Sequence, residues 1–351
     1  MLTTLRNAWK IADLRKKLLF TLLIILLYRI GNVIPVPFVD VEMMAQMFSQ
    51  QLSNTIFGLM DMMSGSAFSQ ATIFALSIQP YINASIIIQL LTIAIPALER
   101  LSKDGGEEGK KKITKITRLT TVAIALLMGF AYFMMLKNYN AQYGLLVSDS
   151  FLSALVIILT FTAGSTLVMW LGEQITEYGI GNGISMILFA NIIARIPSGI
   201  IKPMVNMLWA QWYWVLLLVV AMLAIIVFII YVSNAERRVP VQYAKRVVGR
   251  KVYGGQNTHL PIKVNMSGVM PIIFAQSIAS LPATLCTFFG WTNSWVYKHA
   301  FQSTTVIYTV FYLLLIIGFS YFYATIQYNP VEVANNLKKN GGFIPGFRPG
   351  N

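Results

Sequence analysis

The sequence predicts an all-α, polytopic membrane protein. Three observations carry this: long apolar runs recur along the chain, 56% of its 351 residues are hydrophobic against 11% charged, and the charge gathers between the runs. A soluble domain carries roughly a quarter charged residues. A bilayer core of about 30 Å needs about 20 apolar residues in a helix. The composition therefore argues against a soluble enzyme. The net charge of +14 does not point to a nucleic-acid-binding domain, because it lies in loops between spans.

Eight spans are expected, at residues 18–36, 70–96, 117–137, 152–171, 183–200, 208–232, 267–288 and 305–327. Arg6, Lys10, Arg15, Lys16 and Lys17 precede the first, which runs on without a small-residue cleavage site, so no removable signal is expected. Arg29 sits near the far end of that span, where a long side chain can snorkel to the interface. Pro80 is expected to break the second span, and Pro271 and Pro282 the seventh. Helices broken at membrane depth need protein or a watery cavity around the freed carbonyls. Two such helices in corresponding halves of a chain suggest a pathway between them.

Orientation follows from the basic residues. With the amino terminus in the cytoplasm, 22 of the 27 Lys and Arg fall in inside segments and four (Lys137, Arg195, Lys202 and Lys298) outside, as the positive-inside rule requires. Seven of the inside ones lie in the single stretch Glu236–Lys263. That stretch is long and patterned enough to read as a cytoplasmic docking surface rather than a connector.

Smaller features are weighed in place. Residues 37–69 lie outside and carry Asp40, Glu42 and Asp61 with no basic residue, yet include TIFGLMDMMSGSAF, too apolar for a loop and too short to span. Two readings stand: an interfacial or re-entrant element, or a short helix folded back into the protein, with Met60, Met62 and Met63 filling an irregular space. Glu173 and Glu177 sit one helical turn apart at the cytoplasmic end of a span, where carboxylates are expected to be solvated. GIGNG (179–183) lacks the strand-turn-helix setting of a dinucleotide loop and reads as a helix stop and restart. His259 and His299 fall on opposite sides of the membrane, and Cys286 is a lone cysteine in an apolar run. No metal site, disulfide, cofactor or catalytic pair is expected.

Long motifs carry a resemblance. IQPYINASIIIQLL (78–91), WLGEQITEYGIGNGIS (170–185), QYAKR (242–246), NTHLPIKVNMSGVMP (257–271) and NPVEVANNLKKNGGFIPGFRPG (329–350) resemble, in order and across the whole chain, the SecY family, the channel subunit of the bacterial protein-conducting translocon. The resemblance implies a SecY-type channel of two inverted, pseudo-symmetric helical halves, opening sideways to lipid between spans two and seven. Residues 1–200 would form the first half, with spans 1–5. Residues 201–351 would form the second, with spans 6–8 and cytoplasmic loops at 233–266 and 328–351. The family has ten spans, so the second half is expected to be incomplete. The hinge between halves is expected near Arg195–Met207, where IPSGIIKP supplies turn chemistry.

The resemblance also assigns roles. Ile78 and Ile82 on span two, Ile184 and Leu188 on span five, and Ile273 on span seven would form an apolar pore ring. By spacing alone they are ordinary packing or lipid contacts. Leu188 stands where the family often has isoleucine. Thr55, Ile56, Phe57, Gly58, Leu59, Met60, Asp61, Met62, Met63 and Ser64 would be the plug that blocks the outer funnel. Arg237, Arg238, Lys245, Arg246, Arg250 and Lys251, with Lys338, Lys339 and Arg348 of the last loop, would dock partners. As plain charge they orient the chain and attract anionic lipid. The implied partners are the SecE and SecG subunits, the SecA motor ATPase, the ribosome, signal sequences and nascent chains. The implied location is the bacterial plasma membrane, with a cytoplasmic amino terminus and no catalytic site. The rival class is an ion-coupled secondary transporter, which needs charged residues paired at the bilayer midplane; the sequence places almost none there. An intramembrane protease would need an acid pair or a Ser/His pair within spans, and neither is present.

Overall fold

The computed structural model describes residues 9–53, 56–103, 105–197, 201–243, 246–248, 251–253, 258–288, 295, 299–300, 305–327, 330–339 and 342–346. The chain divides into two compact units, Met1–Pro203 with Ser280–Thr309, and Met204–Ala279 with Val310–Asn351.

The first unit opens with α1 (Ala12–Gly31), which holds Asp13 in its first turn and Arg29 in its last. Short α2 (Val41–Met47) starts at Asp40, whose carboxylate accepts from the Glu42 and Met43 amides and so satisfies two of the helix's orphan donors. It continues through a π-helical turn, Phe48–Leu52. Helix α3 (Ile56–Ser64) follows. It is nine residues long, about 14 Å, and crosses nothing.

Residues 65–78 differ from expectation. Residues 70–78 are expected within the second span, but the whole stretch runs as successive turns with positive φ at Gly65, Ser66, Ala71 and Ser77. Their backbone is tied to the end of α1 instead: the Val36 amide donates to the Ala71 carbonyl at 3.0 Å and the Ile73 amide to the Ile34 carbonyl at 3.0 Å. Helix α4 (Gln79–Ala94) therefore begins late, with Pro80 in its first turn. Pro80 starts this helix rather than breaking one, since a first-turn proline has no intrahelical bond to lose. The break comes at Ile95, where α5 (Pro96–Lys103) turns away by 106°.

Helix α6 (Gly106–Tyr143) has 38 residues, about 57 Å, far more than a bilayer core requires. Its basic first turns, Lys110 to Arg118, thus extend beyond the apolar part. Helix α7 (Phe151–Tyr178) stops at Gly179, and α8 (Gly183–Ile196) restarts under an Asn182 side chain that accepts from the Ile184 and Ser185 amides. Between them Gly181 takes φ 71°, a turn conformation that suits glycine. The stop and restart read from GIGNG is thus present. The Ile180 amide donates to Thr21 of α1 at 3.1 Å, pinning the turn.

Helix α9 (Lys202–Asn234), all but its first two residues in the second unit, includes a window of mean hydropathy 3.4 with no buried residue. An all-round apolar, uncovered helix is a lipid- or partner-facing one. Next come β1 (Glu236–Tyr243), β2 (Arg246–Val248), β3 (Lys251–Tyr253) and β4 (Thr258–Lys263). Helices α10 (Met270–Phe288), α11 (Val306–Gln327) and α12 (Pro330–Lys339) and strand β5 (Gly342–Phe343) complete the chain. Pro271, like Pro80, opens its helix, whereas Pro282 lies inside it. Strand β1 pairs antiparallel with β4, in register from Glu236 opposite Lys263 to Val241 opposite Thr258, and with β5 at Gln242 and Tyr243. The charged segment expected as a loop thus has a small sheet at its base. Phe274 of α10 meets the rings of Phe319 and Tyr323 of α11 edge-on, at 5.9 and 6.0 Å.

Four described helices, α6, α7, the Trp212–Asn234 part of α9 and the Val306–Thr325 part of α11, are long and apolar enough to cross a membrane; the bent α4–α5 pair is a fifth only if its two helices are taken as one span. Helix α8 and Met270–Ala279 of α10 are shorter apolar helices.

Candidate functional site

The site is built around α3. One side of this helix is seated by aromatic packing. Phe57 stacks on Phe68 at 5.7 Å; Phe68 meets Tyr132 of α6 edge-on at 4.8 Å; Tyr132 leans on Phe161 of α7 at 4.5 Å. Phe57, Tyr132 and Phe161 are buried. The Tyr132 hydroxyl donates to the Phe68 carbonyl at 2.7 Å, so the one polar atom of this cluster has its partner.

The other side is polar. Asp61, 1% exposed, faces Arg195 of α8, with Nη1 to Oδ2 at 2.9 Å. Its second oxygen accepts from the Ser69 amide at 2.8 Å. Asn191, one turn before Arg195, donates to the Met63 carbonyl at 2.8 Å and to the Tyr28 hydroxyl at 2.9 Å. Tyr28 in turn lies 3.2 Å from the Ser77 hydroxyl. Asn32, which caps the end of α1, donates to the Ser64 carbonyl at 3.2 Å, and Arg29 reaches the Gly65 carbonyl at 3.5 Å. Arg29 thus touches the chain just after α3. A buried carboxylate needs a cation and donors, and Arg195 of α8 and the Ser69 amide supply them.

Sequence reasoning did not find this cluster. Its signal was present: Tyr28 on α1 with Asn32 at its C-cap, and Asn191 and Arg195 on α8, are polar pairs four apart on apolar helices, hence on one face each. What the sequence withheld was that both faces meet α3. Of the expected plug residues, Thr55 lies outside the described residues, as do the side chains of Ile56 and Leu59. Phe57, Asp61 and Ser64 are buried, Gly58, Met60 and Met63 half-buried, and Met62 exposed.

Ile78 caps the start of α4 and Ile82 follows one turn later, at 1% and 8% exposure. Ile184 and Leu188 are one turn apart on α8, both half-buried. Ile184 lies over Gly172 of α7, where an added Cβ would come to 3.5 Å from its Cγ1. Ile273 lies on α10 in the second unit and is half-buried. Glu173 corrects an expectation. It is not solvated at a helix end but 18% exposed and 2.9 Å from Arg118 Nε, tying α7 to α6.

Among the docking residues, Arg237 and Arg238 are exposed on β1, and Lys338 and Lys339 on the last turn of α12, where cations suit the helix dipole. Arg246 and Lys251 lie on the β2–β3 hairpin. Lys245, Arg250 and Arg348 fall outside the described residues. The β1–β5 pairing joins the two basic segments, which the sequence treats separately, into one body.

Comparison with known proteins gives a consistent result. The family model SecY matches residues 72–351. The protein translocase subunit SecY of Streptomyces scabiei is 46% identical across 100% of this chain and 82% of its own length. A solved structure described as that of a protein-conducting channel superposes with a TM-score of 0.66 over 96% of this chain and 78% of its own, at 17% identity. A SecY structure whose plug domain is described as stabilising the closed channel and maintaining a membrane seal superposes at 0.65, with 16% identity, over 96% of this chain and 78% of its own. At these identities the two structures speak for the fold.

Proposed function

The chain belongs to the SecY family, and on that premise we propose how it acts as a multi-pass, protein-conducting channel subunit. Unfolded secretory chains pass outward through it, and sufficiently apolar segments leave sideways into the bilayer. Its membrane is the bacterial plasma membrane, with the amino terminus in the cytoplasm, the orientation that the 22-to-4 division of basic residues supports. Ile78, Ile82, Ile184, Leu188 and Ile273 act as the apolar ring, because branched aliphatic side chains dewet a narrow passage against ions yet yield to a passing chain.

The observation that carries the reading is α3: an apolar helix too short to span, folded back and buried against α8 and the α6–α7 aromatics instead of lying at the surface. It acts as the plug, Thr55 to Ser64. The basic residues Arg237, Arg238, Lys245, Arg246, Arg250, Lys251, Lys338, Lys339 and Arg348 meet the ribosome and the SecA motor; SecE and SecG are the membrane partners. Arg residues suit ribosomal RNA because each phosphate contact releases counterions. Energy comes from these partners or the membrane potential.

The ring is tested by substituting Ile82→Asn together with Ile273→Asn. Polar side chains hydrate a constriction, so ion conductance across planar bilayers should rise while the protein accumulates normally in the membrane. A well-accumulated double variant as tight to ions as the parent removes these residues from the pore.

A further inference from the structure

Helix α3 is held by two unlike contacts. The aromatic seat under Phe57 is apolar and tolerant of small shifts. The polar contact is directional: Asp61 to Arg195 at 2.9 Å, the Ser69 amide to Asp61 at 2.8 Å, and Asn191 to the Met63 carbonyl at 2.8 Å. The two partners of the ion pair are hydrated very differently. The Asp61 side chain is 2% exposed and that of Arg195 33%. A polar cavity of about 250 Å³, lined in part by Arg29, Asn32, Gly65, Ser66, Gln70 and Arg195, opens beside the pair. The guanidinium therefore already meets solvent, while the carboxylate has only protein donors.

We propose that Asp61, Arg195 and Asn191 are positioning residues that latch α3 in its seat and set how readily the channel opens. This rests on α3 being the plug. When α3 leaves, Asp61 parts from Arg195 and from the Ser69 amide, and the Met63 carbonyl parts from Asn191. Water from the cavity reaches the guanidinium first, so the barrier lies mainly in uncovering the carboxylate. Removing the cation alone leaves Asp61 buried without its counter-ion, and that unpaired charge drives α3 out. Removing the carboxylate alone leaves a cation that the cavity hydrates. The two single substitutions are therefore unequal, which a merely structural ion pair at a surface would not require.

The test uses the full chain in lipid with its partner subunits, Cys286→Ser, and spin labels on cysteines at the exposed positions Met62 and Phe189. Electron paramagnetic resonance reads the separation of α3 from α8, and planar bilayers read ion conductance. The displaced population and the idle conductance should rise about tenfold in Arg195→Gln, less in Asp61→Asn, and stay near the parent in Arg195→Lys. The double variant Asp61→Asn with Arg195→Gln carries no buried charge, so it folds as a neutral pair and should fall between the parent and Arg195→Gln. If the label separation is the same in idle channels and in channels arrested with a secretory chain, α3 is not the plug. If it changes on arrest but the idle values match the parent in every variant, the plug stands and the latch is wrong. A larger effect in Asp61→Asn than in Arg195→Gln overturns the hydration argument.

Discussion

Gly164→Ala tests whether the turn segment before α4 is where its hydrogen bonds place it. Gly164 lies mid-way along α7, and a methyl group there would stand 2.9 Å from the Ile73 carbonyl carbon and nearer still to its oxygen. The obstacle is backbone, held by the Ile73 amide's bond to the Ile34 carbonyl and by the Pro35–Thr72 bridge, so it cannot swing aside as a side chain would. Replacing a helical glycine by alanine is worth about 1 kcal/mol in helix propensity. Overpacking against a fixed neighbour costs up to about 3 kcal/mol. The clash should win by about 2 kcal/mol, lowering the thermal midpoint by several degrees. The same push is transmitted along residues 73–78 to Ile78, so idle ion conductance should rise too. Gly318→Ala is the control, since nothing lies within 4 Å of a methyl group there. The assay is thermal unfolding in nanodiscs beside conductance in planar bilayers. A Gly164→Ala protein that melts at or above the parent would show that residues 65–78 do not pass against α7 as described.

Two further outcomes follow from the site. Tyr132→Phe removes the hydroxyl that donates to the Phe68 carbonyl at 2.7 Å in a fully buried setting; the Ala71 amide still donates to that carbonyl at 3.2 Å, so only one net hydrogen bond, about 1 kcal/mol, is lost, read as a slightly lower melting midpoint, and an unchanged midpoint would mean that the hydroxyl does not help to seat the segment. Arg246→Glu with Arg250→Glu should weaken ribosome binding and flatten the slope of log affinity against log salt by about two units. Unchanged affinity at low salt would take the hairpin out of the ribosome contact.

Where the sequence was legible, one local signal and one physical cause sufficed. Apolar length located α6, α7, α9 and α11 because nothing but lipid or packed protein accommodates such runs. GIGNG located the α7–α8 turn because glycine and an Asn cap act on their own neighbours. The misreadings arose where one residue type serves two purposes. Proline breaks a helix in its interior and starts one in its first turn. Which applies at Pro80 is decided by bonds between residues 34–36 and 71–73, outside any helical window. Pro240 and Pro261 argue against strands by the same local rule. Yet β1 gains its second neighbour, β5, only at Gln242 and Tyr243, so at Pro240 it is an edge strand, and there proline is tolerated. The polar face of α3 shows the limit most plainly. Asp61 in an apolar stretch, and Asn191 with Arg195 on an apolar helix, each look like a local cost with no return. Asn191 and Met63 are bonded across 128 positions of sequence, and only that closure gives the Asn191 amide nitrogen and the Asp61 carboxylate their partners. A buried polar residue with no visible local partner is thus itself a signal that a distant segment must fold against it, and here that segment is the short helix that spans nothing.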